Sequence, residues 1–453
     1  MGTGIGIVQT KYGKLCGVRR QGHTVFRGIP YAKPPVGALR WKKPVPPESW
    51  NGVRDAKVFG ATAMQRLQTP GSFYEKEFFS DEDFFPPMSE DCLFLNVWTP
   101  ARAAGDKLPV AFWIHGGGFV GGYGTEPEFD GAAYCERGVI LVSFNYRLGA
   151  LGFLAHEWLS AESAKEGHGA HSGNYALYDQ LAALNWVREN IAAFGGDPDK
   201  ITIFGQSAGA RSVQSLVSSP LTKGLIAGAI LQSGGGYKLP ISRDATLQSA
   251  EGLGARFAEA CGADSLESLR ALPVEAVMKA SNELVESAAA KGQGFAFGPC
   301  IDGKFLITGS DDALESGLHA DIPYMIGSAM NDFGVTRADL AAGKKNRLYQ
   351  GCIEWSLLGE SLGRKPSYVY YFMREPLGDD AGAFHSSELW YMFNTLSRSW
   401  RPKVWADYEL AEKMTDYWCN FVKTGDPNGG GLPRWEPCAE KNGRSVRALR
   451  EGM

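Results

Sequence analysis

Short and nearly continuous apolar runs punctuate this chain at intervals. Pro109–Ile114 (Pro-Val-Ala-Phe-Trp-Ile) and Gly138–Asn145 (Gly-Val-Ile-Leu-Val-Ser-Phe-Asn) lack the polar alternation of a half-exposed strand, so they read as strands buried on both faces. Between Asn174 and Phe194 the pattern changes. Leu177, Leu181, Leu184, Val187 and Ile191 recur every three or four residues and form one helical stripe. Asn174 is placed to cap that helix and Gly195-Gly196-Asp197-Pro198 to end it. Lys200–Phe204 and Ile226–Gln232 read as further strands with a helix between them, and Ile322–Ile326 and Ser367–Phe372 extend the series. A predominantly helical stretch from about Ala245 to Ala290 lies between as a cap. Strand and helix in alternation predict βαβ units, hence an α/β fold whose central, mostly parallel sheet is flanked by helices. Near the amino end, the prolines of Phe26-Arg-Gly-Ile-Pro-Tyr-Ala-Lys-Pro-Pro-Val-Gly predict an extended surface segment.

The strand Lys200–Phe204 runs into Gly205-Gln206-Ser207-Ala208-Gly209 and then into a helix. Such a turn strains its central residue and needs small neighbours so that strand and helix can approach, which Gly205 and Gly209 provide. It also places Ser207 at a helix N-terminus, where free N–H groups favour developing negative charge. Ser207 is therefore the candidate nucleophile. A serine hydroxyl needs a base, and the base an orienting acid. Among the seven histidines, His385 follows the last apolar run, where a loop at the carboxyl edge of the sheet is expected. Asp332 lies just beyond Ile322–Ile326, and the order Ser207, Asp332, His385 is the order this topology imposes. His168 and His171 occupy a Gly/Ser-rich loop and read as structural, while His23, His156 and His319 have no motif around them.

Trp113-Ile-His-Gly-Gly-Gly-Phe ends a buried strand in three glycines, whose missing side chains let backbone N–H groups face a pocket. Gly117 and Gly118, with the N–H of Ala208, are the expected oxyanion donors, and His115 is expected to hold the loop. Gly116-x-Gly118-x-x-Gly121 also matches a dinucleotide fingerprint. The residues that follow, Gly122-Tyr-Gly-Thr-Glu-Pro-Glu-Phe-Asp-Gly, cannot start the helix that a pyrophosphate requires, so nucleotide binding is set aside.

Across 453 residues there is no low-complexity linker and no internal repeat, which favours a single domain spanning 1–453. A net charge of −4 gives no electrostatic footprint for nucleic acid. No run of eighteen apolar residues predicts a membrane span, and the first residues lack the pattern of an export signal. The eight cysteines are scattered, without Cys-x-x-Cys or a Cys/His cluster at zinc spacing, and read as mostly buried free thiols in a reducing cytoplasm. No metal and no organic cofactor is implied.

Taken together, Phe26-Arg-Gly-Ile-Pro-Tyr-Ala, Ser89-Glu-Asp-Cys-Leu-Phe-Leu-Asn, His115-Gly-Gly-Gly-Phe, Asn145-Tyr-Arg-Leu-Gly, Gly173-Asn-Tyr-Ala-Leu-Tyr-Asp-Gln and Gly205-Gln-Ser-Ala-Gly-Ala resemble the type B carboxylesterase/cholinesterase-like branch of the α/β hydrolases. The resemblance spans nearly the whole chain. It implies the α/β-hydrolase fold with cap and gorge loops, and a serine ester hydrolase acting on a small-molecule ester. Ser207 would be the nucleophile, His385 the base, Asp332 the acid, and Gly117, Gly118 and Ala208 the oxyanion donors. The family acid is usually Glu in an Asp-Glu-Gly sequence, whereas this chain has Asn331-Asp332-Phe333; Glu388 is the rival acid, with a structural role expected. Secreted relatives pair the Cys92 position with a cysteine near 63 and the Cys261 position with one where Ser268 stands; here these sites are Ala63 and Ser268. Cholinesterases carry Glu just before the nucleophile, and the neutral Gln206 disfavours a cationic choline ester. Met64–Asp91 interleaves Phe73, Tyr74, Phe78, Phe79, Phe84 and Phe85 with acids and reads as a loop over the gorge mouth. Its aromatics either line a pocket for aromatic or hydrophobic esters or pin the loop to the body. The competing functions are a lipase acting on aggregated lipid and a non-catalytic binding protein on the same fold. The oligomeric state is not specified by the sequence.

Overall fold

The computed structural model describes residues 4–239 and 244–453. Its main sheet has ten strands: β1 (Val18–Arg19), β2 (Thr24–Pro30), β3 (Phe94–Thr99), β4 (Leu108–Ile114), β5 (Ile140–Phe144), β6 (Gly196–Gln206), β7 (Gly228–Gln232), β8 (Tyr324–Ala329), β9 (Ser367–Phe372) and β10 (Val446–Leu449). They lie in the order β10-β9-β8-β7-β6-β4-β5-β3-β2-β1. From β10 to β5 every neighbouring pair is parallel, and β3, β2 and β1 complete the sheet antiparallel. The chain passes from β4 outward to β5 and then returns to the other side of β4 with β6. This reversal opens a crevice beyond the carboxyl ends of β4 and β6.

The central strands are covered on both faces. In β4, Val110, Phe112 and Ile114 join one core with Leu177 and Leu184 of α1 (Tyr175–Asn190) and Val213 and Leu216 of α2 (Ala208–Ser218). Ala111 and Trp113 join the opposite core, with the later helix Trp405–Thr424 supplying Tyr417, Trp418 and Phe421. The predicted strands and the stripe of α1 are therefore present, with boundaries shifted by a few residues. The cap region resolves into α3 (Leu247–Ala260), α4 (Leu266–Arg270) and α5 (Val274–Ala290).

Three expectations need correction. Only part of the expected surface segment lies at the surface: Pro34, Val36 and Gly37 are exposed, but Phe26 to Pro30 belong to the strand Thr24–Pro30 of the main sheet, with Phe26 and Ile29 fully buried and Pro30 at its end, where no further ladder N–H is needed. Asn174 does not cap α1. It adopts a left-handed conformation (φ 55°), and its amide instead donates to Cys300 O at 2.8 Å and accepts from Cys300 N at 2.9 Å. Ser367–Phe372 is not the last strand, since Val446–Leu449 pairs beside it at the sheet edge.

Two of the sequence motifs meet in a buried ion pair. Arg147 Nε and Nη2 donate to Asp179 Oδ2 and Oδ1 at 2.8 and 2.7 Å, and the Arg147 N–H adds a bond at 3.1 Å. Both side chains are all but inaccessible. All eight cysteines are free thiols, six of them buried. Among the described residues no helix is long and apolar enough to cross a membrane. Removing one partner of a buried pair strands the other charge, so Arg147→Met should lower stability by about 3–5 kcal/mol. Pairing it with Asp179→Leu should restore most of the loss, read from the urea unfolding midpoint.

Candidate active site

Register places Ile114 of β4, Gly205 of β6, Leu231 of β7 and Ile326 of β8 in one row, so the segments that follow emerge together at the carboxyl edge. Ser207 is the first residue past β6. Its backbone stands at φ 56°, ψ −122°, a conformation normally reserved for glycine in tight turns. It is held there by its own hydrogen bonds: the Ser207 N–H donates to Gln232 O at 2.8 Å, and Ser207 O accepts from Arg211 N at 3.0 Å. It is also held by the absence of side chains around it. A Cβ on Gly205 would stand 2.6 Å from Gly209 C and 2.7 Å from Ile114 O; one on Gly209 would collide with Ile114 O, and one on Gly234 with Ser207 O.

Asp332 lies three residues beyond β8, fully buried. Its Oδ2 accepts from Ala329 N at 2.8 Å, and its Oδ1 lies 2.5 Å from His385 Nδ1. Because a carboxylate can only accept, this contact puts the proton on Nδ1 and leaves the lone pair on Nε2. Burial opposes charge on the imidazole, but the Asp332 carboxylate and its hydrogen bond outweigh it and hold the His385 pKa above the usual value. Phe333 lies against the imidazole with ring centroids 4.5 Å apart. The fully buried Glu388 contacts not the imidazole but Ser233, whose Oγ donates to Oε1 at 3.5 Å. Burial and the neighbouring Asp332 charge push the Glu388 pKa up to about 7.

His385 Nε2 accepts from the Gln206 amide at 3.2 Å, and the hydrogen bonds of the described residues do not include one from Ser207 Oγ to that nitrogen. Sequence reasoning noted Gln206 only for its lack of charge; nothing in a linear pattern could reveal its place beside the base.

The glycine loop follows β4. Gly117 has φ 100° and Gly118 φ 63°, and Gly117 O accepts from both Val120 N and Gly121 N, closing a tight turn. The N–H groups of Gly117, Gly118 and Ala208 donate to no protein group among the described residues. Gln65 clamps the far end of the loop, its Oε1 accepting from Gly122 N at 2.8 Å and its Nε2 donating to Gly122 O at 3.1 Å. His115 stacks on Tyr146 at 4.3 Å, and burial lowers its pKa to about 4, so it supports the loop as a neutral ring.

The loop over the site is pinned by some of its aromatics and leaves others at the rim. Phe78 stacks on Trp390, and Phe79 and Phe85 pack against Tyr123. The buried Glu77 accepts from Arg401 Nε and Trp400 Nε1, each at 2.9 Å. Phe73 and Tyr74 remain partly exposed, with Phe73 edge-on to Phe384, the neighbour of His385. Among the described residues no group of three or more His, Cys, Asp or Glu side chains is arranged to hold a metal ion.

Comparison with known proteins shows the family and the fold. The model of the carboxylesterase family matches residues 5–351 and 349–452. The para-nitrobenzyl esterase of Bacillus subtilis (strain 168) is 34% identical over 469 residues, covering 93% of this chain and 90% of that protein. The fumonisin B1 esterase of Sphingopyxis macrogoltabida is 33% identical, covering 96% and 84%. The solved structure of a thermophilic PNB esterase superposes with a TM-score of 0.83 at 31% identity, covering 98% of this chain and 96% of that one, and the fold is the α/β-hydrolase fold.

The glycine cage makes a specific demand. Gly234→Ala should push the Ser207 backbone off its position, and a displacement near 1 Å costs about 100-fold in reactivity. The rate of covalent labelling by a fluorophosphonate should fall by about that factor, while circular dichroism stays that of the folded chain.

Proposed function

This chain belongs to the carboxylesterase family and is a carboxylic ester hydrolase, and from that premise we propose that it hydrolyses small to medium esters, aromatic or hydrophobic, by a Ser207-His385-Asp332 triad and an acyl-enzyme. The observation that carries this reading is the 2.5 Å contact of His385 Nδ1 with Asp332 Oδ1 at the same sheet edge as Ser207. His385 Nε2 exchanges the Gln206 amide for the Ser207 hydroxyl and takes its proton as Oγ bonds to the acyl carbon. The carbonyl electron pair moves onto oxygen, where the N–H groups of Gly117, Gly118 and Ala208 receive it. Collapse re-forms the carbonyl and expels the alcohol, which takes the proton from His385. Water then repeats the sequence, releasing the acid and restoring Ser207. The same reading takes residues 1–453 as one catalytic domain, since both cores pack on one sheet. Phe73, Tyr74 and Phe333 at the rim support the preference for aromatic or hydrophobic esters.

A panel of p-nitrophenyl esters from acetate to longer and aromatic acyl groups tests the proposal. Hydrolysis by the parent chain, abolished in Ser207→Ala, is expected; full activity in the variant would remove Ser207 from the mechanism.

The base must be neutral, and its pKa is raised, so kcat/KM is full at alkaline pH and falls as pH drops through an apparent value above about 6.5. Asp332→Asn takes away the charge that raises it. The plateau should drop by roughly ten-thousandfold, and the acid limb should move to lower pH. Glu388→Gln should move the limb in the same direction with a far smaller loss of rate, because Glu388 acts on His385 through its charge alone. A pH–rate profile of the three proteins distinguishes these outcomes.

A further inference from the structure

Beside the glycine loop the chain encloses a cavity of about 380 Å³. One wall is apolar and adjoins the glycine loop. Phe119 directly follows Gly118, its ring meets Phe153 and Phe295 edge-on at 5.0 and 5.4 Å, and Phe295 lies 3.6 Å from where a Cβ on Gly118 would stand. The opposite wall is basic. Arg211 lies one turn into α2, the helix that begins just after Ser207, and its guanidinium is paired with the buried Asp244, whose Oδ2 also accepts from Ser310 N and Oγ. Asp244 is the sole acid among the described lining residues, so the charge of Arg211 is already balanced. Arg256 of α3 and Lys291 just past α5 are exposed and line the same space. Of the acids near them in sequence, Glu251 accepts from Ser160 Oγ at 2.5 Å, Glu283 faces Lys279 and Glu286 pairs with Arg66, while Glu259, three residues after Arg256, is exposed and outside the lining. At the head of the site stands the neutral Gln206.

We propose that this cavity receives a carboxylate carried by the ester substrate, with Arg256 and Lys291 as its specificity-determining residues. The inference rests on the reading of Ser207 as the nucleophile and deepens it by naming the substrate class. A neutral acyl chain fills the apolar wall as well as an acidic one does; only the acidic one gains from two unbalanced cations in a partly enclosed space. A cationic ester meets repulsion in the same place.

The test compares two pairs of esters of like size that differ in charge: mono-4-nitrophenyl adipate against 4-nitrophenyl hexanoate, with the carboxylate on the acyl side, and 4-acetoxybenzoate against 4-acetylphenyl acetate, with the carboxylate on the alcohol side. The quantity read is the ratio of kcat/KM for the charged to the neutral ester, after subtraction of spontaneous hydrolysis. In Arg256→Gln/Lys291→Gln the ratio of at least one pair should fall by about tenfold, through KM rather than kcat. Added salt should lower the same ratio in the parent chain. Which pair responds tells on which side of the ester the carboxylate sits. Ratios unchanged for both pairs in an active, folded double variant would overturn the proposal. Failure of the underlying reading looks different: Ser207→Ala would then keep its activity on the neutral esters, whatever the ratios.

Discussion

At the carboxyl edge of the sheet, backbone must touch backbone, and the site depends on that contact. Ile114, His115, Gln206 and Ser207 come so close that the crossing positions Gly116, Gly205, Gly209 and Gly234 have no room for a Cβ. A residue held at φ 56°, ψ −122° costs on the order of 1–3 kcal/mol and persists only where its surroundings leave no alternative. Here the surroundings are a row of parallel strands in fixed register, two hydrogen bonds to the Ser207 peptide and a helix that starts at once. The strain is thus offset by the same burial that holds β4, β6 and β7 side by side.

Around that turn the protein handles two buried carboxyls differently. Asp332 receives the His385 ring and the Ala329 N–H, both at short hydrogen-bond distance, whereas Glu388 has a long contact from Ser233 and the Gln232 side chain beside it, and burial and Asp332 push its pKa up to about 7. Two like charges in one dry site would repel, and the shorter hydrogen bonds to Asp332 separate their roles. The shorter aspartate is no handicap, because the tight turn at Asp332, with Phe333 left-handed at φ 44°, ψ 51°, delivers its carboxylate directly to Nδ1.

The central strands and α1 were legible in the sequence because burial on two faces, or on one helical stripe, leaves a direct trace in the order of apolar residues. The strand expected at Ile322–Ile326 begins instead at Tyr324, since Pro323 has no N–H for the ladder, and it runs on through Gly327 and Ser328, which look like loop residues. Val446–Leu449 escaped notice as a short, half-exposed edge strand carrying Arg447. Ser207, Asp332 and His385 could be picked out from strand ends and chain order, which survive in one dimension. The contact of Gln206 with His385 and the cavity between Phe119, Arg256 and Lys291 could not, because they join side chains whose proximity no spacing encodes.

The left-handed backbone at residue 207 also selects what can stand there. A β-branched side chain at positive φ brings a second γ substituent against its own peptide groups, so threonine is barred from this slot although its hydroxyl would be chemically adequate. An unbranched side chain ending in oxygen or sulfur meets no such barrier. The turn at Ser207 therefore acts as a filter on evolution: exchange of serine for cysteine stays open to this scaffold, and the path to a threonine hydrolase is closed by geometry before any chemistry is tried.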